Sequence, residues 1–274
     1  MAGVLYVVAT PLGNLEDITL RALRILREVD VIAAEDTRHS AKLLNHFGIT
    51  KQLFSYWGER EKSRSEQVIE LLRQGKTIAL ISDAGTPGLS DPGEVLIKKA
   101  IEASIPVVPV PGPSAVIASL SVSGLSTREF LFLGFIPIKK NERKKFLRDI
   151  SIEKRTLVFY EAPHRLLETI SDIRDIMPER DIAVCHELTK MHESIYRGTV
   201  DEVLSMIGHA VIAGEYVIVL GGARREGGSL EEALREVETL MRGGIGRKEA
   251  VKIVSSDYGV SKKELYDRSL NKPR

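Results

Sequence analysis

Cysteine, tryptophan and long apolar runs are all scarce in this 274-residue chain, and each shortage removes a class of answer. A single cysteine, Cys185, excludes an intramolecular disulfide and a cysteine-rich zinc site. The six histidines show no metal-ligand spacing. Apolar runs such as Val4–Ala9 are strand-length, far short of the ~20 residues a membrane helix needs. No basic–apolar–cleavage pattern of a signal peptide opens the sequence, so the expected address is cytoplasmic. Net charge is close to zero, +1, but it is unevenly spread. Lys139–Arg155 and Arg242–Arg274 each carry a net +5, which leaves −9 on the rest. Either island alone reads as a solvated helix face; two of them on an acidic body point to a polyanion, and with the tail described below to nucleic acid.

What is present is an alternation. Short β-branched runs at Gly3–Ala9, Val29–Ala34, Thr77–Ser82, Pro106–Val110, Phe130–Phe135, Thr156–Tyr160, Asp181–Cys185 and Glu215–Leu220 predict strands. Between them, helical periods fit Thr19–Glu28, Ser63–Arg73, Glu94–Ala103, Ser114–Val122, Asn141–Asp149, His164–Ile176 and Val200–Ile207. This rhythm predicts α/β layers with largely parallel pairing. At this length two domains plus an appendage are expected. The "VPVPGPSA" stretch at Val108–Ala115 is the candidate hinge, and "GGARREGGS" at Gly221–Ser229 is a linker. The division is therefore residues 1–111, 112–223 and 224–274.

Three turns rich in proline and glycine follow predicted strands: "ATPLGN" (Ala9–Asn14), "LISDAGTPGLSDPG" (Leu80–Gly93) and "PGPSA" (Pro111–Ala115). Ligands of open α/β sheets sit at such strand ends, so three similar turns suggest one cleft. The central turn is not a P-loop, since no Gly-Lys-Ser/Thr follows it. Nor does a G-x-G-x-x-G fingerprint follow the first strand. Gly85 and Pro87 let its backbone present amides, and Asp83 is placed to accept from a hydroxyl or an ammonium.

The motifs "VATPLGNLEDITLRAL", "AAEDTRHS", "SDAGTPGLSDPG", "VPVPGPSA", "FYEAPHR" and "ELTKMHE" occur in this order along nearly the whole chain. Together they resemble the tetrapyrrole methylase superfamily, and within it the bacterial 16S rRNA cytidine 2'-O-methyltransferases. The resemblance implies two α/β domains with S-adenosylmethionine between them and a small helical C-terminal domain. It implies methylation of a cytidine ribose in the decoding region of the small ribosomal subunit, by an enzyme that tends to be a homodimer. Carried over by position, the cofactor pocket is Pro11, Leu12, Ser82, Asp83, Ala84, Gly85, Thr86, Ser114, Ala115, Tyr160, Glu161, Leu188 and Thr189. A sulfonium asks for a polar but not strongly anionic pocket, and an adenine for backbone amides and apolar walls.

Methyl transfer to a ribose hydroxyl needs in-line alignment and a place for a weakly acidic proton. Candidates for proton handling and phosphate clamping are Glu35, Asp36, Arg38 and His39, then Glu161, His164 and Arg165, then Glu187, Lys190 and Glu193. Structural ion pairs across the cleft are an equally good reading of Glu35–Arg38 and Glu187–Lys190. Arg38 and Arg165 are the preferred phosphate contacts, since a guanidinium fork fits phosphate oxygens. His164 reads as a helix-start or surface residue, and no single base stands out. Asp83 and Asp91 could suggest magnesium, but the reaction requires no metal and none is expected. Trp57 is expected in core or lid packing, with base stacking the lesser alternative.

The tail from Ser229 to Leu270 reads as three helices, the last two flanking "DYGVS", where Gly259 and Ser261 supply a C-cap and an N-cap. With Lys262, Lys263 and Arg268 this has the outline of a helix-turn-helix and favours RNA over a packing appendage. Two rivals remain: a C-methyltransferase acting on a tetrapyrrole, and a non-catalytic RNA-binding assembly factor.

Overall fold

In the computed structural model, which describes residues 3–56, 61–208, 213–223 and 229–270, two five-stranded sheets carry the body. The first sheet contains β1 (Leu5–Val8), β2 (Val31–Ala34), β3 (Gln52–Ser55), β4 (Ile78–Ile81) and β5 (Val107–Val110). Its order is β3-β2-β4-β1-β5 and every pairing is parallel. Parallel strands are buried on both faces, and alternate residues divide between two cores. Ile32, Ala34, Ala79 and Ile81 meet α1 (Leu20–Glu28) and α2 (Thr37–His46). Val31, Ala33, Ile78 and Leu80 meet α3 (Glu61–Arg73) and α4 (Glu94–Glu102).

The second sheet departs from the expected parallel pairing. Its strands are β6 (Phe130–Phe135), β7 (Thr156–Glu161), β8 (Asp181–His186), β9 (Ser194–Thr199) and β10 (Tyr216–Leu220), in the order β6-β7-β10-β8-β9. Only β6 and β7 are parallel; β10 runs antiparallel to both its neighbours, and β9 to β8. Apolar runs report burial, and the inner strands β7, β8 and β10 are buried on both faces whichever way they point. On one face Phe159, Val184 and Ile218 pack under α6 (Lys140–Asp149), α7 (Leu166–Ile176) and α8 (Val200–Ile207). On the other, Val158, Cys185 and Val217 pack under α5 (Ala115–Ser123) through Val116 and Leu120.

Helix α5 follows directly on the "VPVPGPSA" stretch, so the chain leaves the first sheet at Val110 and reaches the second within a few residues. Leu12, at the end of β1, joins the α5 cluster and stitches the lobes. The tail forms α9 (Leu230–Arg242), α10 (Arg247–Tyr258) and α11 (Lys262–Leu270) around Ala233, Val237, Val251, Val254 and Leu265. Gly259 ends α10 in the left-handed conformation, and the Ser261 hydroxyl accepts from the Glu264 amide to start α11. Trp57 and residues 224–228 of the linker lie outside the described residues.

The mid-chain basic island is partly cancelled by its own neighbours. Lys140 and Arg143 pair with Glu168 on α7, and Lys144 pairs with Asp172 and Asp175. Lys139 pairs with Glu142 and Arg155 with Glu153, both already counted in the +5; Glu168, Asp172 and Asp175 lie outside it. The +5 counted along the chain overstates what that surface offers to a polyanion.

Candidate active site

The three proline–glycine turns lie at the carboxyl ends of the adjacent strands β4, β1 and β5, and they are bonded to one another. Thr10 and Gly85 exchange two backbone hydrogen bonds of 2.8 and 3.0 Å. The Thr10 hydroxyl donates to the Ser82 carbonyl at 3.0 Å, and the Thr86 hydroxyl to the Pro113 carbonyl at 3.3 Å. Gly85 is buried with φ +76°, and a Cβ there would stand 3.4 Å from the Leu12 side chain. The turn therefore needs glycine for its conformation more than for space.

Around this turn the structure gathers more negative charge than the sequence led one to expect. The Asp83 amide donates to Glu35 at 3.2 Å, and Asp83 Oδ1 accepts from the Asp36 amide at 3.1 Å. Burial, with Asp83 and Asp36 close by, pushes the Glu35 carboxyl above its ordinary value. Asp91 is pushed up to about 6, first by desolvation and then by Glu35, Asp83 and Glu215. Tyr160, across on β7, rises to about 12 by burial with Asp91 and Glu215 near it. Asp91 thus faces both lobes. The only sequence mark of this role is the "SDPG" turn, whose Ser90 adopts φ +65°. No cluster suited to a metal ion occurs among the described residues.

The second lobe supplies the other wall. Ser114 caps the start of α5, Ala115 opens it, and Leu188 is buried against Val217 in the α5 cluster. Glu187 and Thr189 hold φ +49° and +66°, a conformation that side chains disfavour. Three contacts hold that loop. The Thr189 amide donates to Glu193 at 2.6 Å, the Thr189 hydroxyl accepts from the Asn14 amide of the first lobe at 3.2 Å, and Lys190 Nζ bridges Glu187 and Glu215 at 2.8 and 3.1 Å. Burial would raise Glu187, but Lys190 and the Glu215 amide together hold it low. The Lys190 stem lies over Gly13, where a Cβ would stand 2.2 Å from its Cγ. Glu187–Lys190 is therefore an ion pair within the second lobe, not one across the cleft.

Two expectations need correction. Glu161 is 2% exposed, and its oxygens accept from Thr169 at 2.6 Å and the Ala162 amide at 2.7 Å while pairing with Arg165. Arg165, 8% exposed, donates also to the Ile136 carbonyl at 3.2 Å. A guanidinium committed in this way offers no fork to a phosphate, and a carboxylate this enclosed is out of reach of a substrate hydroxyl. Arg38 differs: its side chain is 90% exposed at the start of α2 and, among the described residues, pairs with Asp36 at 3.2 Å. Asp36, not Glu35, is its partner. His39 and His164 are both exposed.

Pro11 is buried beside Leu12 at the same junction, and Ala84 carries the carbonyl that receives the Ser82 hydroxyl at 3.2 Å. A separate groove of about 480 Å³ runs between Thr86–Leu89 and α4 within the first lobe; it contains none of Glu35, Asp83, Asp91 or Glu215.

Residues 4–204 match the family described as Tetrapyrrole (Corrin/Porphyrin) Methylases. The chain belongs to that family. The chain is 44% identical over 272 residues to Ribosomal RNA small subunit methyltransferase I of Halalkalibacterium halodurans, covering 97% of this chain and 94% of that one. It is equally 44% identical to the protein of that name from Synechocystis, with 98% of each chain covered. The Escherichia coli O157:H7 protein of that name is 42% identical, with 98% and 95% covered. Among solved structures, the methyltransferase CobJ superposes with a TM-score of 0.61 at 19% identity, over 83% of this chain and 98% of that one. Uroporphyrin-III C-methyl transferase from Thermus thermophilus, complexed with S-adenyl homocysteine, gives 0.57 at 19% identity, over 80% and 97%. These two show the shared fold.

Proposed function

We propose that this chain is an S-adenosylmethionine-dependent methyltransferase that modifies 16S rRNA of the small ribosomal subunit, at the ribose 2'-oxygen of a cytidine in the decoding region. Identity of 42–44% along almost the entire length to relatives named small subunit rRNA methyltransferases carries the enzyme class and the RNA. The ribose position and the homodimer rest on the motif resemblance. On this reading residues 1–111 and 112–223 are the two lobes, and 224–274 the linker and RNA-binding tail.

The residues fit the cofactor. S-adenosylmethionine carries two positive centres, the sulfonium and the ammonium, and Glu35, Asp83 and Asp91 supply the matching charge. Backbone groups of Ser82–Thr86, held by Thr10 and Pro113, are suited to its polar edges. Leu12, Leu188 and the half-buried Tyr160 provide apolar walls, with Pro11, Ser114, Ala115 and Thr189 at their margins. When bound, the cofactor supplies an electrophilic methyl group. The chain aligns the ribose oxygen with it and receives the hydroxyl proton. Asp91, pushed up to about 6, is suited to accept that proton. Arg38 is placed to hold a phosphate, and Lys190 to keep the wall loop in shape.

Incubation of the full chain with methyl-labelled S-adenosylmethionine, against 30S subunits in one arm and uroporphyrinogen III in the other, tests the reading. Label in 30S rRNA supports it. Label only in the tetrapyrrole supports the C-methyltransferase instead, and cofactor binding without transfer to either supports the assembly factor.

A further inference from the structure

Phe135–Ile138 is held unlike an ordinary surface turn. β6 slips its register against β7 between Phe132 and Phe135, and Gly134 takes φ +64° there. On a regular strand, residues three apart point to opposite faces. The bulge brings both rings to one neighbour: Phe132 and Phe135 lie 4.9 and 5.5 Å from the Tyr160 ring, each edge-on. Phe135 nevertheless stays 57% exposed and Ile138 75% exposed, with Ile136 between them at 1%.

Beneath this segment stand two buried arginines. Arg165 donates to the Ile136 carbonyl at 3.2 Å and Arg143 to the Ile138 carbonyl at 3.4 Å. Glu161 holds the first, and Asp172 with Glu168 holds the second. Buried ion pairs are costly to form and contribute little net stability against an apolar substitute. Two of them spend a donor on the same short segment, and the outcome is an aromatic ring kept in water. The segment also borders the cleft. A Cβ on Gly134 would stand 3.3 Å from the Ser90 hydroxyl of the 80–93 loop, and Tyr160 shares the electrostatic surroundings of Asp91. Lys139 and Lys140, both exposed, follow directly; each sits in an exposed ion pair, with Glu142 at 3.1 Å and Glu168 at 3.9 Å, that a phosphate can displace.

We propose that Phe135 is the stacking platform for a nucleobase next to the reacting ribose, with Lys139 and Lys140 beside it for the flanking phosphates; this rests on the rRNA reading above. An exposed aromatic ring with adjacent cations is the chemistry that receives unstacked bases of single-stranded RNA. Unstacking a base costs a few kcal/mol, and a ring at the cleft mouth offers a base displaced from its stack a new partner. Arg165 and Arg143 are then positioning residues acting through the backbone they hold.

The test compares wild type, Phe135→Ala and Phe135→Trp in methylation of 30S subunits, with cofactor affinity by calorimetry and association state by sedimentation. Phe135→Ala should lower kcat/KM for subunits about tenfold or more, the loss of one base stack. Phe135→Trp should keep it within about threefold, and cofactor affinity should be unchanged in both. A wild-type level in Phe135→Ala overturns the proposal, as does failure of tryptophan to rescue. Altered association in Phe135→Ala overturns it in favour of a contact with a second copy. No methylation by wild type overturns the rRNA reading itself and the platform with it.

Discussion

Gly13 shows how much of this site is decided atom by atom. A methyl group there would stand 2.2 Å from Lys190 Cγ, inside the stem of the side chain that bridges Glu187 and Glu215. Gly13→Ala should therefore displace Lys190, loosen the 187–190 loop and weaken cofactor binding about tenfold. In a Lys190→Ala background the same change should cost almost nothing, because the clash has gone. Calorimetry on the four proteins measures this, and an equal cost in both backgrounds would contradict the steric account. Asp91 makes a second residue-scale prediction. Its folded pKa, about 6, lies above the ordinary 3.8, so the folded state holds the proton more tightly than the unfolded chain. Between those two values the folded state binds more protons, and stability falls as pH rises. Above about 6 the penalty is complete and constant. Asp91→Asn should melt higher than wild type at pH 7.5, with the difference shrinking to nothing towards pH 4. Melting curves that keep a fixed separation from pH 4 to 8 would show that Asp91 carries no such penalty.

At the scale of elements, the buried pair Glu161–Arg165 links β7, α7 and the end of β6. Removing one member leaves a buried charge without its partner, a loss of about 3–5 kcal/mol. Arg165→Ala should thus lower the melting temperature sharply, whereas Arg38→Ala, on an exposed side chain, should leave it near wild type and reduce methylation of subunits. Equal melting temperatures for the two variants would return Arg165 to the substrate. This pair also shows where the sequence stops being legible. "FYEAPHR" displays an arginine near a strand end, which looks the same whether the guanidinium meets a phosphate or the Ile136 carbonyl; only the tertiary path of β6 decides. Strands β3 and β9 escaped notice for another reason. They are half-exposed edge strands whose sequences, "QLFS" and "SIYRGT", lack the continuous apolar run that announces a buried strand. α2 was hidden by its polar first turn "TRHS", whose helical start depends on the Asp36 cap. The doubly buried strands, the three joined turns and the tail helices were legible, because apolar runs, proline–glycine pairs and Gly259 each leave a local mark.

Across the whole molecule, charge is arranged in opposition: an acidic cleft at Glu35, Asp83 and Asp91, and a C-terminal island of net +5. Along the mid-chain island α7 supplies several counter-charges, so the tail is the stronger candidate for contact with RNA. Ending the chain at Ala223, which is anchored by its amide to the Glu153 carbonyl at 2.7 Å, removes the tail and keeps every cleft residue. The truncated protein should bind S-adenosylmethionine as wild type does. Its affinity for 30S subunits should be lower and less dependent on salt, since fewer phosphate contacts release fewer counterions. Matching salt slopes and affinities would make the tail a packing element. The central claim, methyl transfer to a cytidine ribose of the small subunit, is tested most directly on the product. Small-subunit rRNA prepared without this protein is treated with the full chain and S-adenosylmethionine, digested to nucleosides and weighed by mass spectrometry. The account predicts a new 2'-O-methylcytidine, absent when the protein or the cofactor is left out; an unchanged nucleoside profile, or a methyl group found on a base, would contradict it.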